Sequence, residues 1–477
     1  MGKAVVVVAA ALAVMLAAGC APATAPPAVP DTALKVGGLD VTDGPSGVRA
    51  DAPTPLRAAK HSDGGAADQL ALLGVDDVEQ YWQFQYPQLF GQEFTPVRKL
   101  ISYDSADPRG PRICLHRQYG SPNAMFCRLD RSLAWDRGAL IPAGRKYFGD
   151  QSIAALIAHE YGHAVQASAG LVTSRTDAIV KEQQADCFAG SYMHWVAEGS
   201  SPRFVTSTGD GLNHVLAAVI SLRDPVLEPG QEEMVESGHG TALDRISAFQ
   251  MGFDSGPVVC TGINLPEIKQ RRGDLPMELG LTSYGEVQSG DMPVDEQTLG
   301  TLMELLGQVF RPASPPTLSF AQPQCPDVAP SPPASYCPTT NVIAVDLALL
   351  QQMSVPADKT ERVLPQGDNT AISLVTSRYA LNLQQSRGEP LDQPKTALRT
   401  ACLTGVAQHA MAQPIPLPSG NTLVLSAGDV DEAVAGLLTN GIAASNVEGA
   451  TVPAGFSRIE AFRTGLSSTE EQCFQRY

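Results

Sequence analysis

Apolar residues at Ile153, Ile157, Tyr161 and Ala164 return at the period of an α-helix, which predicts a helix over about 150–168 with Asp150 as its N-cap. That stripe faces a core. His159 and His163, four residues apart, fall on the roughly opposite side, towards a cleft. Similar spacing predicts helices near 177–198, 210–222 and 241–253, and short alternating runs predict strands around Val97 to Tyr103 and Ser132 to Asp136. The expected fold class is α+β, with strands edging the cleft, where an extended substrate could add as a further strand. One more apolar run, Ala4 to Val14, is too short to span a bilayer comfortably.

The polar residues set into these helices carry chemistry. His159-Glu160-Tyr161-Gly162-His163 is an H-E-x-x-H motif, in which two imidazoles share a helix face beside a candidate general base, Glu160. Glu182 and Asp186 are again four apart, a turn and the start of another helix further on. If that helix crosses the first, Glu182 completes a His, His, Glu set and leaves a fourth position for water, as catalytic zinc requires. Asp186 would accept the second ring N–H of a ligand His and fix its tautomer. Ala185 and Ala189 are small enough for a close crossing. The alternatives are two ordinary surface histidines and a solvated acidic face.

The run His159 to Gln166, followed by Glu182-Gln183-Gln184-Ala185-Asp186-Cys187-Phe188-Ala189-Gly190, resembles the bacterial neutral zinc metallopeptidase family. Phe126-Cys127, Leu216 to Ile220, His239-Gly240-Thr241 and Asp244-Arg245 through Phe249 to Gly252-Phe253 extend the likeness over roughly 75 to 262. The resemblance implies a zincin-like fold and one Zn2+ per chain on His159, His163 and Glu182. It also implies kinship with mycobacterial cell-envelope lipoprotein peptidases. Ala164 and Tyr161 depart from residues common in the family, which bears on substrate preference rather than chemistry. The expected reaction is hydrolysis of a peptide bond with Glu160 as general base. His239, on the Gly238-His239-Gly240 turn, is the candidate oxyanion donor, and Arg245 either orients it, binds a substrate carboxylate or serves as a structural ion-pair partner.

Composition adds a compartment. Lys3, the apolar run and Leu16-Ala17-Ala18-Gly19-Cys20 read as a lipoprotein signal peptide over 1–19, with lipidation at Cys20. Two acyl chains would anchor the protein to the membrane on the extracytoplasmic side, with substrates in the cell envelope; the alternative is a secreted protein. Residues 20–70 are rich in Pro and Ala and read as a disordered tether. The net charge of −17 argues against nucleic acid as a partner.

An internal repeat organises the rest. Gly149 to Gln166 aligns without gaps on Gly367 to Gln384, but His159 falls on Ser377, Glu160 on Arg378 and His163 on Leu381. Aligning Cys187 with Cys402 places Glu182 on Ala397 and Asp186 on Ala401. The reading is a metallopeptidase domain over 71–265 followed by a degenerate, metal-free copy over 290–477. Apart from Cys20, eight Cys remain and allow on the order of a hundred pairings. The repeat argues for Cys114 with Cys127, Cys187 with Cys260, Cys325 with Cys337, and Cys402 with Cys473. Free buried thiols are the alternative. Two other functions stay open: a binding or assembly lipoprotein with a vestigial metal site, and an enzyme whose second copy covers the cleft.

Overall fold

The computed structural model describes residues 34–322, 325–357 and 364–477; the expected leader and Cys20 lie outside these. The first half runs β1 (Gly47–Val48), α1 (Ala66–Phe90), β2 (Lys99–Tyr103), β3 (Arg112–Ile113), β4 (His116–Arg117), β5 (Ala124–Cys127), β6 (Ser132–Asp136), α2 (Leu140–Phe148), α3 (Asp150–Ala169), α4 (Ala178–Ala197), β7 (Phe204–Val205) and α5 (Asp210–Ser221). It continues through α6 (Glu232–Ser237), α7 (Ala242–Ser255), α8 (Pro257–Cys260) and α9 (Leu265–Arg272). The second half follows as α10 (Glu296–Phe310), β8 (Thr317–Ser319), β9 (Ala334–Cys337), β10 (Val342–Val345), α11 (Leu347–Met353), α12 (Asp368–Ser386), α13 (Pro394–Met411), α14 (Asp429–Thr439), α15 (Gly455–Leu466) and α16 (Glu470–Arg476). The protein is therefore mixed α+β, dominated by helices with small sheets.

Each half holds a three-stranded sheet of the same pattern. In the first, β6 pairs parallel with β2 and antiparallel with β5; in the second, β10 pairs parallel with β8 and antiparallel with β9. The edge strands β5 and β9 lie against α3 and α12. All four expected disulfides are present: Cys114–Cys127, Cys187–Cys260, Cys325–Cys337 and Cys402–Cys473.

Helix α3 buries Ile153, Ile157, Tyr161 and Ala164 as its period predicts. Its start differs from expectation. Gly149, at φ +82°, takes the N-cap position, and Asp150 opens the helix and accepts from Arg145 Nε at 2.7 Å. Helices α4 and α7 pack almost backbone to backbone, because a Cβ at Gly190 would overlap Phe249 O and one at Gly252 would overlap Cys187 O. The second half repeats the device between α13 and α15, with Gly405 against Phe462 O and Gly465 against Cys402 O.

The expectation of a disordered tether is corrected over 34–65. Residues 34–65, read as tether, are ordered against the body. Val36 is fully buried, Thr42 N donates to Thr208 Oγ1 at 2.8 Å, β1 pairs with β7, and Lys60 N donates to Leu100 O at 2.8 Å. This segment is held mainly by hydrogen bonds rather than by apolar burial, so its composition resembles a linker. Between the two expected domains lies most of α9, whose Ile268 is buried and whose Arg272 forks onto Asp244 at 2.8–3.1 Å. The halves adjoin through α5 and α7 on one side and α14 and α15 on the other. Asp431 accepts from Ala242 N and Leu243 N, and Gln250 Nε2 donates to Phe456 O at 2.9 Å.

Candidate metal centre

Helices α3 and α4 cross where Gly162 meets Ala185. A Cβ at Gly162 would stand 2.9 Å from the Ala185 Cα, so the approach depends on glycine. The crossing sets Glu182 of α4 against the two imidazoles of α3, with Glu182 Oε2 3.2 Å from His159 Nε2 and 3.5 Å from His163 Nε2. One ligand atom from each of the three lies within 4.8 Å of the others. Glu182 Oε2 is buried and accepts no hydrogen bond. Burial would raise this carboxyl's pKa, yet His163 and His159 hold it well below the ordinary range, so it is ionised. A buried carboxylate oxygen without a donor is costly unless a cation shares it. Two imidazole nitrogens and one carboxylate, with room for a fourth ligand, suit zinc.

Both imidazoles are oriented from behind. His159 Nδ1 lies 2.8 Å from Asp186 Oδ1, and Asp186 is clasped by Arg245 through Nε at 2.9 Å and Nη2 at 2.7 Å. Burial alone would raise the Asp186 pKa, but Arg245 and His159 outweigh it and hold it at about 2. His163 Nδ1 lies 3.1 Å from Gln166 Oε1, and Gln166 Nε2 in turn donates to Lys181 O at 2.6 Å. In the neutral form a metal requires, with Nδ1–H donating in each ring, both Nε2 lone pairs point to the same place. Of the three roles open to Arg245, the structure supplies the ion pair.

Glu160 is buried, and its Oε2 accepts from Phe126 N of the edge strand at 3.0 Å. Burial raises its pKa against the pull of His159 and His163, which suits a base working near neutrality. His239 reaches the same place from the loop before α7, its Nε2 3.7 Å from Glu182 Oε2 and its Nδ1 3.4 Å from Asp224 Oδ1. Asp224 raises the His239 pKa and favours the imidazolium, although the side chain is 55% exposed. An open cleft of about 340 Å³ is lined by Asn123, Met125, Phe126, Glu160, His163 and His239, among others, and every residue of its lining belongs to the first half. The second half therefore does not roof it. On the other side of His159, a smaller pocket of about 100 Å³, walled by Leu156, Val215, Val219 and Leu222, keeps the Asp186–Arg245 pair in apolar surroundings.

The structure thus brings together His159, Glu160, His163, Glu182, Asp186, His239 and Arg245. Sequence reasoning missed Asp224, which has no periodic or motif signal, and the backbone N–H of Phe126. Gln166 stands inside the quoted motif run, three residues after His163, and that spacing alone could have marked it as a ring-orienting partner. In the second half Arg378, at the Glu160 position, is fully buried and donates to Ala334 O of β9 at 2.7 Å and to Ser445 Oγ at 2.8 Å. Leu381, Ala397 and Ala401 are buried around the equivalent crossing and offer no metal donor.

Residues 66–262 match a family profile described as "Putative neutral zinc metallopeptidase". All the residues gathered at the site fall inside that span. Two curated relatives, both named "Uncharacterized protein YpfJ", come from Escherichia coli strain K12 and Escherichia coli O6:H1 strain CFT073. Each is 36% identical over 129 residues, which covers 24% of this chain and 43% of the relative. The chain thus matches less than half the length of these relatives. No solved structure matches.

Proposed function

We propose that this protein is a zinc metallopeptidase that hydrolyses peptide bonds of proteins in the cell envelope, anchored on the extracytoplasmic side of the membrane through lipid at Cys20. The observation that carries the reading is the buried, unpartnered Glu182 Oε2 beside the Nε2 atoms of His159 and His163, with Glu160 next to them on an open cleft. In this reading His159, His163 and Glu182 hold the ion, and Asp186 and Gln166 keep the two rings in register. Zinc, when bound, supplies Lewis acidity. Glu160 takes a proton from the attacking water and returns it to the departing amine, while the Phe126 N–H keeps its carboxylate turned to the cleft. His239, kept protonated by Asp224, donates to the oxygen on which charge develops. Strand β5, at the edge of its sheet, offers backbone to an extended substrate. The second half is read as a degenerate copy of the first, supported by its matching sheet pattern, disulfide order and glycine contacts.

Zinc content and casein cleavage by the purified full-length chain test this. One zinc per chain is expected, kept in Glu160→Gln with loss of cleavage, and lost in His163→Ala and Glu182→Ala. A folded wild type that takes up no zinc would instead favour a binding or assembly role.

A further inference from the structure

Four carboxylates from three distant segments meet in the second half, away from the cleft. Asp368 is the first residue of α12, Asp429 the first of α14, Glu432 lies one turn into α14, and Asp291 comes from the segment before α10. One oxygen from each of Asp291, Asp368 and Glu432 lies within 4.8 Å of the others. Asp368 is 1% exposed and Asp429 3%. Carboxylates at helix starts are commonly satisfied by backbone amides. Amides do reach the cluster: Met292 N donates to Asp368 Oδ2 at 3.2 Å, Asn369 N to Glu432 Oε2 at 3.0 Å and Ser426 N to Asp429 Oδ2 at 2.8 Å.

Asp368 Oδ1 is buried and makes no hydrogen bond. The largest charge effects on Asp368, Asp429 and Glu432 come from one another and from Asp291, and these repel. Gly367 contributes a cradle: a Cβ there would overlap the Glu432 carboxylate, which lies directly over the start of α12. Buried carboxylates that repel one another, with one oxygen unpaired, require a cation or shared protons.

We propose that Asp291, Asp368 and Glu432, with Asp429 beside them, bind one hard divalent cation of the calcium type. The donors are all oxygens and mostly anionic, and no imidazole or thiol belongs to the cluster, which separates it chemically from the His, His, Glu centre. Carboxylates drawn from three segments suit the flexible, high coordination number of calcium better than the strict octahedron of magnesium. The ion ties the 291–292 segment to the starts of α12 and α14. Through α14, which also carries Asp431, it braces the junction between the halves.

The test uses the full-length, zinc-loaded chain, freed of calcium on a chelating resin with zinc retention verified, and titrated with CaCl2 by calorimetry. The expected result is one calcium per chain with a dissociation constant below about 1 mM and much weaker uptake of magnesium. Asp291→Asn, at the exposed edge, should stay folded and weaken calcium by roughly tenfold or more. His163→Ala, which empties the zinc site, should leave calcium uptake unchanged. No uptake up to about 10 mM, or equal uptake in Asp291→Asn, overturns the proposal. So does a rise in unfolding temperature for Asp368→Asn or Glu432→Gln whether or not calcium is present, because that result assigns the cluster to shared protons.

Discussion

Replacing Asp186 by Asn keeps the shape of the side chain and removes a charge on which two buried groups depend. The Arg245 side chain is 4% exposed and that of Asp186 3%, so solvent cannot take over the interaction. In the variant Arg245 keeps Leu222 O at 2.7 Å but faces a neutral amide. Breaking a buried pair by removing one partner's charge costs about 3–5 kcal/mol, and the surviving bonds put the expectation near the lower end, about 3 kcal/mol. The acid limb supplies a second measure. An ordinary Asp titrates near 3.9, whereas Asp186 is held at about 2 because Arg245 and His159 outweigh burial. A depressed carboxyl pKa stabilises the fold above the unfolded value, and that contribution disappears as pH falls through the folded value. Wild type should therefore lose about 2–3 kcal/mol from this group between roughly pH 5 and pH 1, and Asp186→Asn should lack that component. His159, deprived of its charged acceptor, should bind zinc about 10–100-fold less tightly. Competition with a chromophoric chelator and urea unfolding across pH measure both effects. Zinc affinity within about twofold of wild type would refute the idea that Asp186 orients the ligand ring.

Three further outcomes are expected. His239→Ala should retain zinc but lower the turnover of a peptide substrate by roughly 10²–10³-fold, read as a fall in kcat with little change in KM. Gly252→Ala drives a methyl into Cys187 O and should destabilise the chain by about 1–3 kcal/mol in denaturant unfolding, with Gly465→Ala, against Cys402 O, doing the same. Removing residues 34–65 exposes the surfaces that bind Val36, Thr42 and Arg49 and should lower the unfolding temperature; unchanged unfolding would restore the tether reading of that segment.

The site was largely legible because its chemistry is spaced on helices. His159, His163, Glu182 and Asp186 each sit four residues from a partner, and the period that predicts α3 and α4 also aims them. Helix α1 was missed for the opposite reason. Asp68, Asp77 and Glu79 interrupt its apolar pattern, yet all three are buried, accepting from Trp135 Nε1 at 2.8 Å, from Tyr192 and Ser201 hydroxyls at 2.7 and 2.8 Å, and from Tyr161 and Arg57. Hydropathy reads such acids as solvated, because the groups that satisfy them are distant in sequence. Asp224 was hidden in the same way: its tie to His239 exists only after the loop folds back. The four disulfides were readable because one half of the chain indexes the other.

Asp431 gives the arrangement of the halves a further meaning. Its carboxylate closes the first two open amides of α7, Ala242 and Leu243, while Thr241 closes the third, Asp244. The next residue is Arg245, which steadies Asp186 and through it His159. A residue of the half that lacks the His, His, Glu set thus terminates the helix on which the other half's ligand geometry hangs. Cutting the chain between the halves should not release an intact site; it should fray α7 one residue from Arg245. Metal affinity then becomes a readout of how well the halves are docked, so a substitution at the junction, far from any ligand, can register first as lost zinc.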